Sequence, residues 1–295
     1  MSTTPHAVKE TGGDRAFNIF NYLILALFLI AVAYPLIYVV SASFSSARAV
    51  TSGQVWLWPV DITFEGYEAI FRHDLLMRSF FNSVFYTVAG TFISVILTVL
   101  AAYPLSRRDL YGGGVILFLF LFTLLFSGGL IPTYILVREL GLMDTYWALM
   151  LPGLVSAWNL LVMKAFFENL PSELRDAAKV DGASEWQVFW DVVLPLSKPI
   201  LATIGLFYAV THWNSFFDAI LYITSPEKQP LQIVLRELLS SGNMNEFVDI
   251  QVRSIMPVQS LRAAAVIIAL VPMLIVYPLL QRHFTKGVLL GSVKG

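Results

Sequence analysis

Six apolar runs, each close to 20 residues long, constrain the fold of this chain more than any other feature. A helix needs roughly 20 residues to cross the ~30 Å hydrocarbon core of a bilayer, where helices satisfy their own backbone hydrogen bonds. The runs place predicted spans at residues 17–43, 79–103, 115–137, 146–167, 200–223 and 261–281. The sequence therefore predicts an all-α polytopic membrane protein with six transmembrane helices.

The composition excludes several other classes of protein. Hydrophobic residues make up 57% of the chain and charged residues only 13%, against about 25% charged in soluble domains. The chain has no cysteine, which excludes disulfides, thiolate metal sites and a cysteine nucleophile. A net charge of -1 offers no basic field for nucleic acid. We therefore expect membrane lipid but no nucleic acid as a partner, and neither a metal nor a cofactor bound by this chain.

The basic residues predict the orientation. The first apolar run continues through Tyr34 and Pro35 without a small-residue cleavage site, so it is interpreted as a retained span. With the N-terminus inside, cytoplasmic segments carry eleven of the 19 lysines and arginines, as the positive-inside rule favours. Both termini are then cytoplasmic, and residues 1–16 and 282–295 flank a membrane domain of residues 17–281.

Two outer loops, residues 44–78 and 224–260, are long for simple connections. The first contains an amphipathic stretch over residues 61–71, which either lies on the membrane surface or docks an external partner. The second has apolar residues at helical spacing over residues 231–241. This pattern predicts a helix that caps the outer mouth of the bundle.

A polar segment between the fourth and fifth spans, residues 168–199, predicts two short helices joined by a sharp turn. Ser172 is the predicted N-cap of the first helix, with Glu173 in its first turn. Asp181 and Gly182 end that helix, because glycine adopts the left-handed conformation of a C-terminal cap without strain. The Ser184-to-Gln187 spacing fits a capping box that starts the second helix, which Pro195 ends.

Two interpretations of this segment stay open from the pattern alone. The second helix carries more apolar surface than a solvated helix should, so it can simply rest against the bundle. That interpretation does not explain the small residues of the first half, Ala177, Ala178, Gly182 and Ala183, which would let a partner approach closely.

The spacing of the segment resembles the coupling motif of the membrane subunits of binding-protein-dependent ABC importers. That motif begins with an acidic residue and two alanines. Three intervening residues separate the alanines from a glycine, and nine more separate the glycine from an aliphatic residue. One further residue precedes the final Leu-Pro. Asp176 stands where the family usually has glutamate, and Val192 where isoleucine is common, so the chemistry is kept. The matching positions are Asp176, Ala177, Ala178, Gly182, Val192, Leu194 and Pro195.

The resemblance covers nearly the whole chain. Further matching stretches lie at residues 104–107, 128–134, 147–153, 181–184, 212–214 and 286–295. Together they are similar to the carbohydrate-importing branch, in particular to oligosaccharide permeases related to the smaller membrane subunit of the maltose importer. Alginate importers have a subunit of this kind. The resemblance implies the type I ABC importer permease fold in a bacterial inner membrane.

The resemblance also implies the partners. They are a second homologous permease, two ATPase subunits that bind ATP and Mg, and an external binding protein that delivers the sugar. No phosphate-binding GxxxxGK[ST] string occurs in this chain, so it is a transport subunit without catalytic residues. The tail 286–295 either reaches into the ATPase interface or ends free. Residues assigned to ATPase coupling are Glu173, Asp176, Ala177, Ala178, Asp181, Gly182, Ala183, Ser184, Phe189, Leu194 and Pro195.

Polar residues inside the spans are the candidates for the sugar path. A carboxylate at mid-bilayer costs roughly 2.5–3.5 kcal/mol on insertion scales, so Asp218 should face a cavity or the outer interface. Trp213 and Asn214 precede Asp218 by five and four residues and would share a wall with it in a continuous helix. Asn159 in the fourth span is a further candidate. Each of these residues has interhelical packing as its alternative role.

The third span contains Ser127-Gly128-Gly129 followed by Pro132, a combination that should loosen or kink a helix. These residues are further candidates for the sugar path. Close helix packing through the two glycines is the alternative.

Two other functions are alternatives to an ABC permease. An ion-coupled secondary transporter would use Asp218 as a proton or cation site, but it gives no reason for the folded segment 168–199. A membrane-embedded enzyme is disfavoured, because the four histidines are scattered and neither an HExxH nor a GxSxG string occurs. The sequence leaves the transported sugar open.

Overall fold

The computed structural model describes residues 12–240 and 258–291, and within these ranges the regular structure is helical. The predicted end segments and the second outer loop lie partly outside the described residues. The helices are α1 Gly12–Ser43, α2 Ala47–Thr51, α3 Glu65–Arg72, α4 Asp74–Leu105, α5 Gly113–Leu125, α6 Leu130–Glu139, α7 Trp147–Met150, α8 Ala157–Glu168, α9 Ser172–Val180, α10 Glu185–Gln187, a π-helix Val188–Val193, α11 Leu194–Leu196, α12 Lys198–Trp213, α13 Phe217–Tyr222, a 3-10 turn Pro226–Lys228, α14 Leu231–Ser240 and α15 Val258–Gly291.

Three stretches in the described part of the chain are long and apolar enough to cross a membrane as single helices: Gly12–Ser43, Asp74–Leu105 and Gln259–Pro278. They coincide with the first, second and sixth predicted spans. Two further pairs of bent helices pass the same test together, which gives up to five spans if each pair is counted as one. One is α5 with α6, bent by 117°, and the other is Glu185–Leu196 with α12, bent by 77°.

The fourth and fifth predicted spans are not continuous helices. Residues 146–167 form α7 and α8 with turns between them, where Pro152 lacks a backbone donor and Gly153 takes φ +71°. Helix α8 has 12 residues, about 18 Å of helix, and is therefore shorter than the ~30 Å hydrocarbon core. The fifth span divides at residues 214–216 into α12 and α13.

The contacts divide the chain into two compact units. The first unit comprises Met1–Ile70 and Met244–Ile267. Its small core contains Ala42, Ala49, Val50 and Val55, and the Tyr67 hydroxyl donates to Ser43 Oγ at 2.8 Å. The spanning window of α1 has none of its residues buried within this chain. That apolar surface requires lipid or another subunit around it.

The second unit, Phe71–Asn243 with Ile268–Gly295, is organised around α4, which packs against both α8 and α12. The α4–α12 interface is close, because a Cβ at Gly90 would lie 2.8 Å from the His212 ring. Polar groups inside the interface find partners. Thr98 Oγ1 lies 2.7 Å from the Tyr208 hydroxyl, which also accepts from the Ser156 N–H at 2.9 Å.

At one end of the second unit, α14 confirms the helix predicted in the second outer loop and packs against α4. The Ser83 hydroxyl donates to Gln232 Oε1 at 3.0 Å and accepts from the Leu231 N–H at 2.8 Å. Just before α14, the carbonyls of residues 227–229 accept hydrogen bonds from Asn82 and Tyr86. These bonds attach the loop before α14 to α4.

Candidate functional site

The first helix of the predicted cytoplasmic segment is α9. The prediction of Ser172 as N-cap was wrong: Pro171 holds that position, and no side chain caps the helix. The fixed φ of proline turns the chain into the helix one residue earlier than expected. Glu173 lies in the first turn, as predicted. No residue of α9 is buried, so its surface is available to a partner.

The turn after α9 has the predicted glycine cap. Gly182 takes φ +82°, a conformation that costs other residues strain. Its N–H donates to the Lys179 carbonyl, and the Ala183 N–H donates to the Ala178 carbonyl, both at 3.0 Å. These two bonds define a Schellman motif. No heavy atom lies within 4 Å of a Cβ built at Gly182, so within this chain only the backbone conformation restricts the residue.

The second helix begins with the predicted capping box. The Gln187 N–H donates to Ser184 Oγ at 3.3 Å, and the Ser184 N–H donates to Gln187 Oε1 at 2.8 Å. Both orphan donors at the start of the helix are therefore satisfied locally. The turn and the box together hold α9 and α10 at a defined angle.

A π-helix, Val188–Val193, follows α10, and the sequence reasoning did not anticipate it. The Leu194 N–H donates to the Phe189 carbonyl, five residues back. The prediction that Pro195 ends the helix was wrong, because α11 continues to Leu196. Local π adjustments compensate for the donor that proline lacks. The chain instead bends at the buried Ser197, whose hydroxyl donates to the Val193 carbonyl at 2.6 Å.

The segment Ser172–Leu196, here called the coupling element, combines both interpretations that the sequence left open. Val188, Phe189 and Val193 are at most 2% exposed and join the core beside α4, α8 and α12. Trp186 and Trp190 remain 60% and 52% exposed. Phe189 was assigned to partner contact, but its burial makes it an anchor to the bundle. The anchored half therefore carries α9 and the Gly182 turn on its exposed side.

Arg107, just after α4, is a contact of the coupling element that the sequence reasoning missed. Its guanidinium donates to both carboxylate oxygens of Glu185, at 2.8 and 3.3 Å, and to both of Asp109, at 3.1 Å each. Lys179 pairs with Glu185 from the other side. Hydrogen bonds from Lys179 and Arg107 lower the pKa of Glu185. No local pattern indicates a pair 78 residues apart in sequence.

A charged cavity of about 780 Å³ lies beside this ion-pair cluster. Asp176 and Lys179 of α9 line one side of it, and Arg107, Arg108 and Asp109 line another. The predicted acidic residue of the motif, Asp176, therefore faces an open, strongly polar space. Such a surface suits a partner with charged groups better than lipid.

A second cavity, of about 910 Å³, lies in the second unit and contains three of the four residues predicted for a sugar path. Asn159, Asn214 and Asp218 all line it. The spacing argument for Asn214 and Asp218 was wrong in its geometry, because α12 ends at Trp213 and Asp218 lies in the first turn of α13. The break still brings both side chains to one cavity. Its aromatic lining residues are Trp158, Phe207, Tyr208, Phe216, Phe217 and Tyr277.

Trp213 does not line this cavity. It is 4% exposed, its indole N–H donates to the Ala269 carbonyl at 3.2 Å, and its ring meets Phe80 edge-on at 6.2 Å. These contacts make Trp213 a packing residue. The next residue, Asn214, follows the end of α12 and does line the cavity.

The third span bends by 117° between α5 and α6 at its glycine pair, in agreement with the predicted kink. Gly129 takes φ +87° between α5 and α6, and its N–H donates to Ser127 Oγ at 3.1 Å. Thr133 Oγ1 returns a hydrogen bond to the Gly129 carbonyl at 2.8 Å. Side-chain bonds thus satisfy backbone groups that the break would otherwise leave free. Residues 127–132 do not line the cavity that contains Asn159.

Asp144 holds the connection between α13 and α14 in place. Its carboxylate accepts from the N–H groups of Thr224 and Ser225 at 3.1 and 2.9 Å, and from the Ser225 hydroxyl and the Lys228 ammonium. Hydrogen bonds from Ser225 hold the pKa of Asp144 well below its usual range. The residue was not identified from the sequence, because its partners lie 80 or more residues away.

The family described as "binding-protein-dependent transport system inner membrane component" matches residues 75–290, most of the chain. The chain belongs to this family. It is therefore a multi-pass membrane component of an ABC importer, and ATP hydrolysis lies in separate subunits. Membership also decides against the ion-coupled secondary transporter. The orientation of the termini stays a prediction.

Individual relatives cover almost the full length of the chain. The polygalacturonan/rhamnogalacturonan transport system permease protein YtcP of Bacillus subtilis (strain 168) is 45% identical over 96% of this chain and 99% of its own. Protein LplC of the same organism is 42% identical over 98% of this chain and 99% of its own.

A solved structure confirms the type I permease fold. It is a crystal structure of a bacterial ABC transporter involved in the import of the acidic polysaccharide alginate. One of its chains matches with a TM-score of 0.89 and 35% sequence identity, covering 94% of this chain and 100% of that one.

Proposed function

We propose that this chain is one of two permease subunits of an ABC importer that carries an oligosaccharide from an external binding protein into the cytoplasm. The observation that carries the proposal is the coupling element. Its π-helical half is buried in the bundle, while α9 and the Gly182 turn are exposed. A contact surface that is free on one side and anchored on the other suits a helix that an ATPase moves.

The proposed partners are a second homologous permease, two ATPases that bind ATP and Mg, and the binding protein. Helix α5 supports the second permease, since none of its 13 residues is buried within this chain. In the described residues, no group of three or more His, Cys, Asp or Glu could hold a metal ion. We propose that ATP and Mg bind to the ATPase subunits.

The cavity around Asn159, Asn214 and Asp218 is the proposed part of the sugar path in this chain. Aromatic faces stack on sugar rings, and amide and carboxylate groups bind sugar hydroxyls, so the lining suits a saccharide. The names of the relatives, for polygalacturonan/rhamnogalacturonan and alginate, favour an oligosaccharide over a monosaccharide. Trp213 is left out of the proposed path because of its packing contacts.

The test is reconstitution of the chain with its genomic partner subunits in proteoliposomes. ATP hydrolysis and uptake are measured with the binding protein and a panel of galacturonan, alginate and neutral oligosaccharides. We expect one class of oligosaccharide to stimulate hydrolysis and to accumulate only when ATP is present. Uptake that a protonophore abolishes, without any dependence on ATP, would contradict the proposal.

A further inference from the structure

Glu185 is held from two sides by ion pairs of different kinds. Lys179 belongs to the coupling element itself, so its pair with Glu185 stays within one folded segment. Arg107 follows the C-terminus of α4, so its pair with Glu185 joins the coupling element to that helix. The Arg107 side chain is only 18% exposed, against 41% for Lys179. Partial burial reduces the screening by water that weakens exposed ion pairs.

The geometry of Arg107 fixes its orientation as well as its position. Glu185 and Asp109 each receive two hydrogen bonds from the same planar guanidinium. Bidentate pairing of this kind constrains angles, which a lysine ammonium in the same place would not do. Asp109 therefore orients the guanidinium from the chain segment that follows α4. Glu185 binds the same guanidinium from the coupling element.

A second contact joins the same two elements one helical turn further on. The Tyr103 ring of α4 lies 4.8 Å from the Phe189 ring, centroid to centroid, and Phe189 is 2% exposed. Phe189 and the buried Val188 and Val193 form an apolar contact with the bundle. The ion pair at Glu185 adds a polar contact that holds the start of α10 to the end of α4. Helix α4 in turn packs against α8 and α12, which supply to the cavity Asn159 from α8 and Phe207, Tyr208 and Thr211 from α12.

We propose that Arg107 is a positioning residue that makes the coupling element and α4 move together. When an ATPase displaces α9, the Arg107 guanidinium, bound to both Glu185 and Asp109, transmits the displacement to α4. The movement of α4 then shifts the cavity wall. This inference rests on the proposed function, in which the ATPase contacts α9 and the Gly182 turn. Arg107 touches neither ATP nor sugar in this scheme.

The first experiment compares two neutralised arginines in the reconstituted, complete transporter. Arg107→Met removes the link to α4, while the matched control Arg138→Met removes an ion pair with the neighbouring Glu139, outside the coupling element. We expect Arg107→Met to lower sugar transported per ATP by about three- to tenfold, a change within the range of interaction energies between contacting residues, with assembly and basal hydrolysis retained. Arg138→Met should stay near the parent. Equal losses in both variants would overturn the proposal.

A double-mutant cycle adds a readout specific to the pair. Glu185→Gln alone should reproduce the Arg107→Met loss, and the double variant should be no worse than either single one. Multiplication of the two losses would mean that the residues act independently and would overturn the inference.

The cysteine-free chain allows a structural readout that does not depend on transport. Nitroxide labels on Tyr111→Cys, beyond α4, and Leu174→Cys, on α9, report the distance between the two elements by EPR in the complete transporter carrying cysteine-free partner subunits. Tyr111 is 99% and Leu174 44% exposed, so both sites accept a label. The distribution should broaden in Arg107→Met and not in Arg138→Met. An unchanged distribution would overturn the inference.

Failure of the Arg107 link and failure of the ATPase contact give different results. If Arg107 does not link the elements, transport per ATP and the label distances stay at parent values in Arg107→Met, while a bulky residue at Gly182 still uncouples the transporter. If the ATPase does not contact α9, neither the Arg107 nor the Gly182 variant changes coupling, although the label distances still broaden. The second result would remove the proposed function, and the role of Arg107 in coupling with it.

Discussion

The coupling element is one continuous stretch of chain, whereas the polar cavity takes its wall from residues 149–159, residues 206–218 and Tyr277. The turn and the capping box of the element depend on hydrogen bonds between residues at most five positions apart. The cavity depends on where two helix breaks direct Asn159, Asn214 and Asp218. The shape of a surface held by local hydrogen bonds follows from the order of neighbouring residues. The shape of a cavity depends on how separate helices pack.

The largest effect should come from Gly182→Val. A β-branched residue at φ +82° strains the Schellman turn, and its side chain projects from the exposed surface. We expect sugar-stimulated ATP hydrolysis to be abolished while the complex still reaches the membrane. The measurement is ATPase activity in proteoliposomes with and without loaded binding protein.

Gly112→Val is the matched control for this prediction. Gly112 has φ +75° and, like Gly182, no heavy atom within 4 Å of a built Cβ, but it lies outside the coupling element. The control should hydrolyse ATP like the parent. Equal loss in both variants would show that backbone strain, rather than the location of the turn, matters.

Asn214→Ala and Asp218→Ala should have the next largest effect, on the cavity side of the comparison. Loss of a sugar hydrogen bond costs about 1–3 kcal/mol, so the half-saturating sugar concentration should rise roughly five- to 150-fold. Basal ATP hydrolysis should not change. Uptake kinetics measured with radiolabelled oligosaccharide check this result.

Glu139→Gln is the control for the cavity variants, because Glu139 is an exposed carboxylate outside the cavity lining. It should transport like the parent. If Asn214→Ala and Asp218→Ala also match the parent, both residues have only a packing role.

Gly90→Ala tests the packing that places the cavity wall and should have a moderate effect. The new Cβ would lie 2.8 Å from the His212 ring, so α4 and α12 must separate or the ring must move. We expect a loss of about 1–3 kcal/mol of stability, as for other overpacked interfaces. Thermal unfolding of the detergent-solubilised transporter measures it, and His212→Ala in the same chain should restore part of the loss. No restoration would assign the effect to another contact.

Ser184→Ala should have the smallest effect, because the coupling element is also anchored by its buried residues. The variant loses the side-chain half of the capping box, which costs about 1 kcal/mol. Amide exchange of residues 184–188 should speed up about fivefold, the factor that this free energy gives. Sugar-stimulated hydrolysis should fall by less than in Gly182→Val. A larger fall would mean that the box, not the turn, is the critical part of the surface.

In the coupling element, the predictions that depend on hydrogen bonds between near neighbours succeeded. The Gly182 cap and the Ser184–Gln187 box follow from residue type and spacing, and both were found where expected. The N-cap at Ser172 and the stop at Pro195 were wrong, because a preceding proline and a π-helix changed where the helices begin and end. Both errors concern how a helix accommodates a proline, which spacing alone does not specify.

For the cavity, the residue types predicted which residues line it, but the spacing did not predict its geometry. Asn159, Asn214 and Asp218 were selected because polar groups in lipid are costly, and this argument does not depend on geometry. The prediction for Trp213 assumed one helix through Asp218, but α12 ends at Trp213. The Trp213 indole N–H instead donates to the Ala269 carbonyl. The free-energy cost of transfer into lipid is a property of each residue type. The direction in which a side chain points depends on the folded chain.

By itself, the sequence determined that this protein is helical and membrane-embedded, where the Gly182 turn lies, and which polar residues need shelter from lipid. These properties depend on composition and on neighbours within a few positions. Only the tertiary structure decided that Arg107 meets Glu185, that Asp144 holds the loop before α14, and that Phe189 is an anchor. Such contacts join residues far apart in sequence, and they form only when helices pack at particular angles and distances.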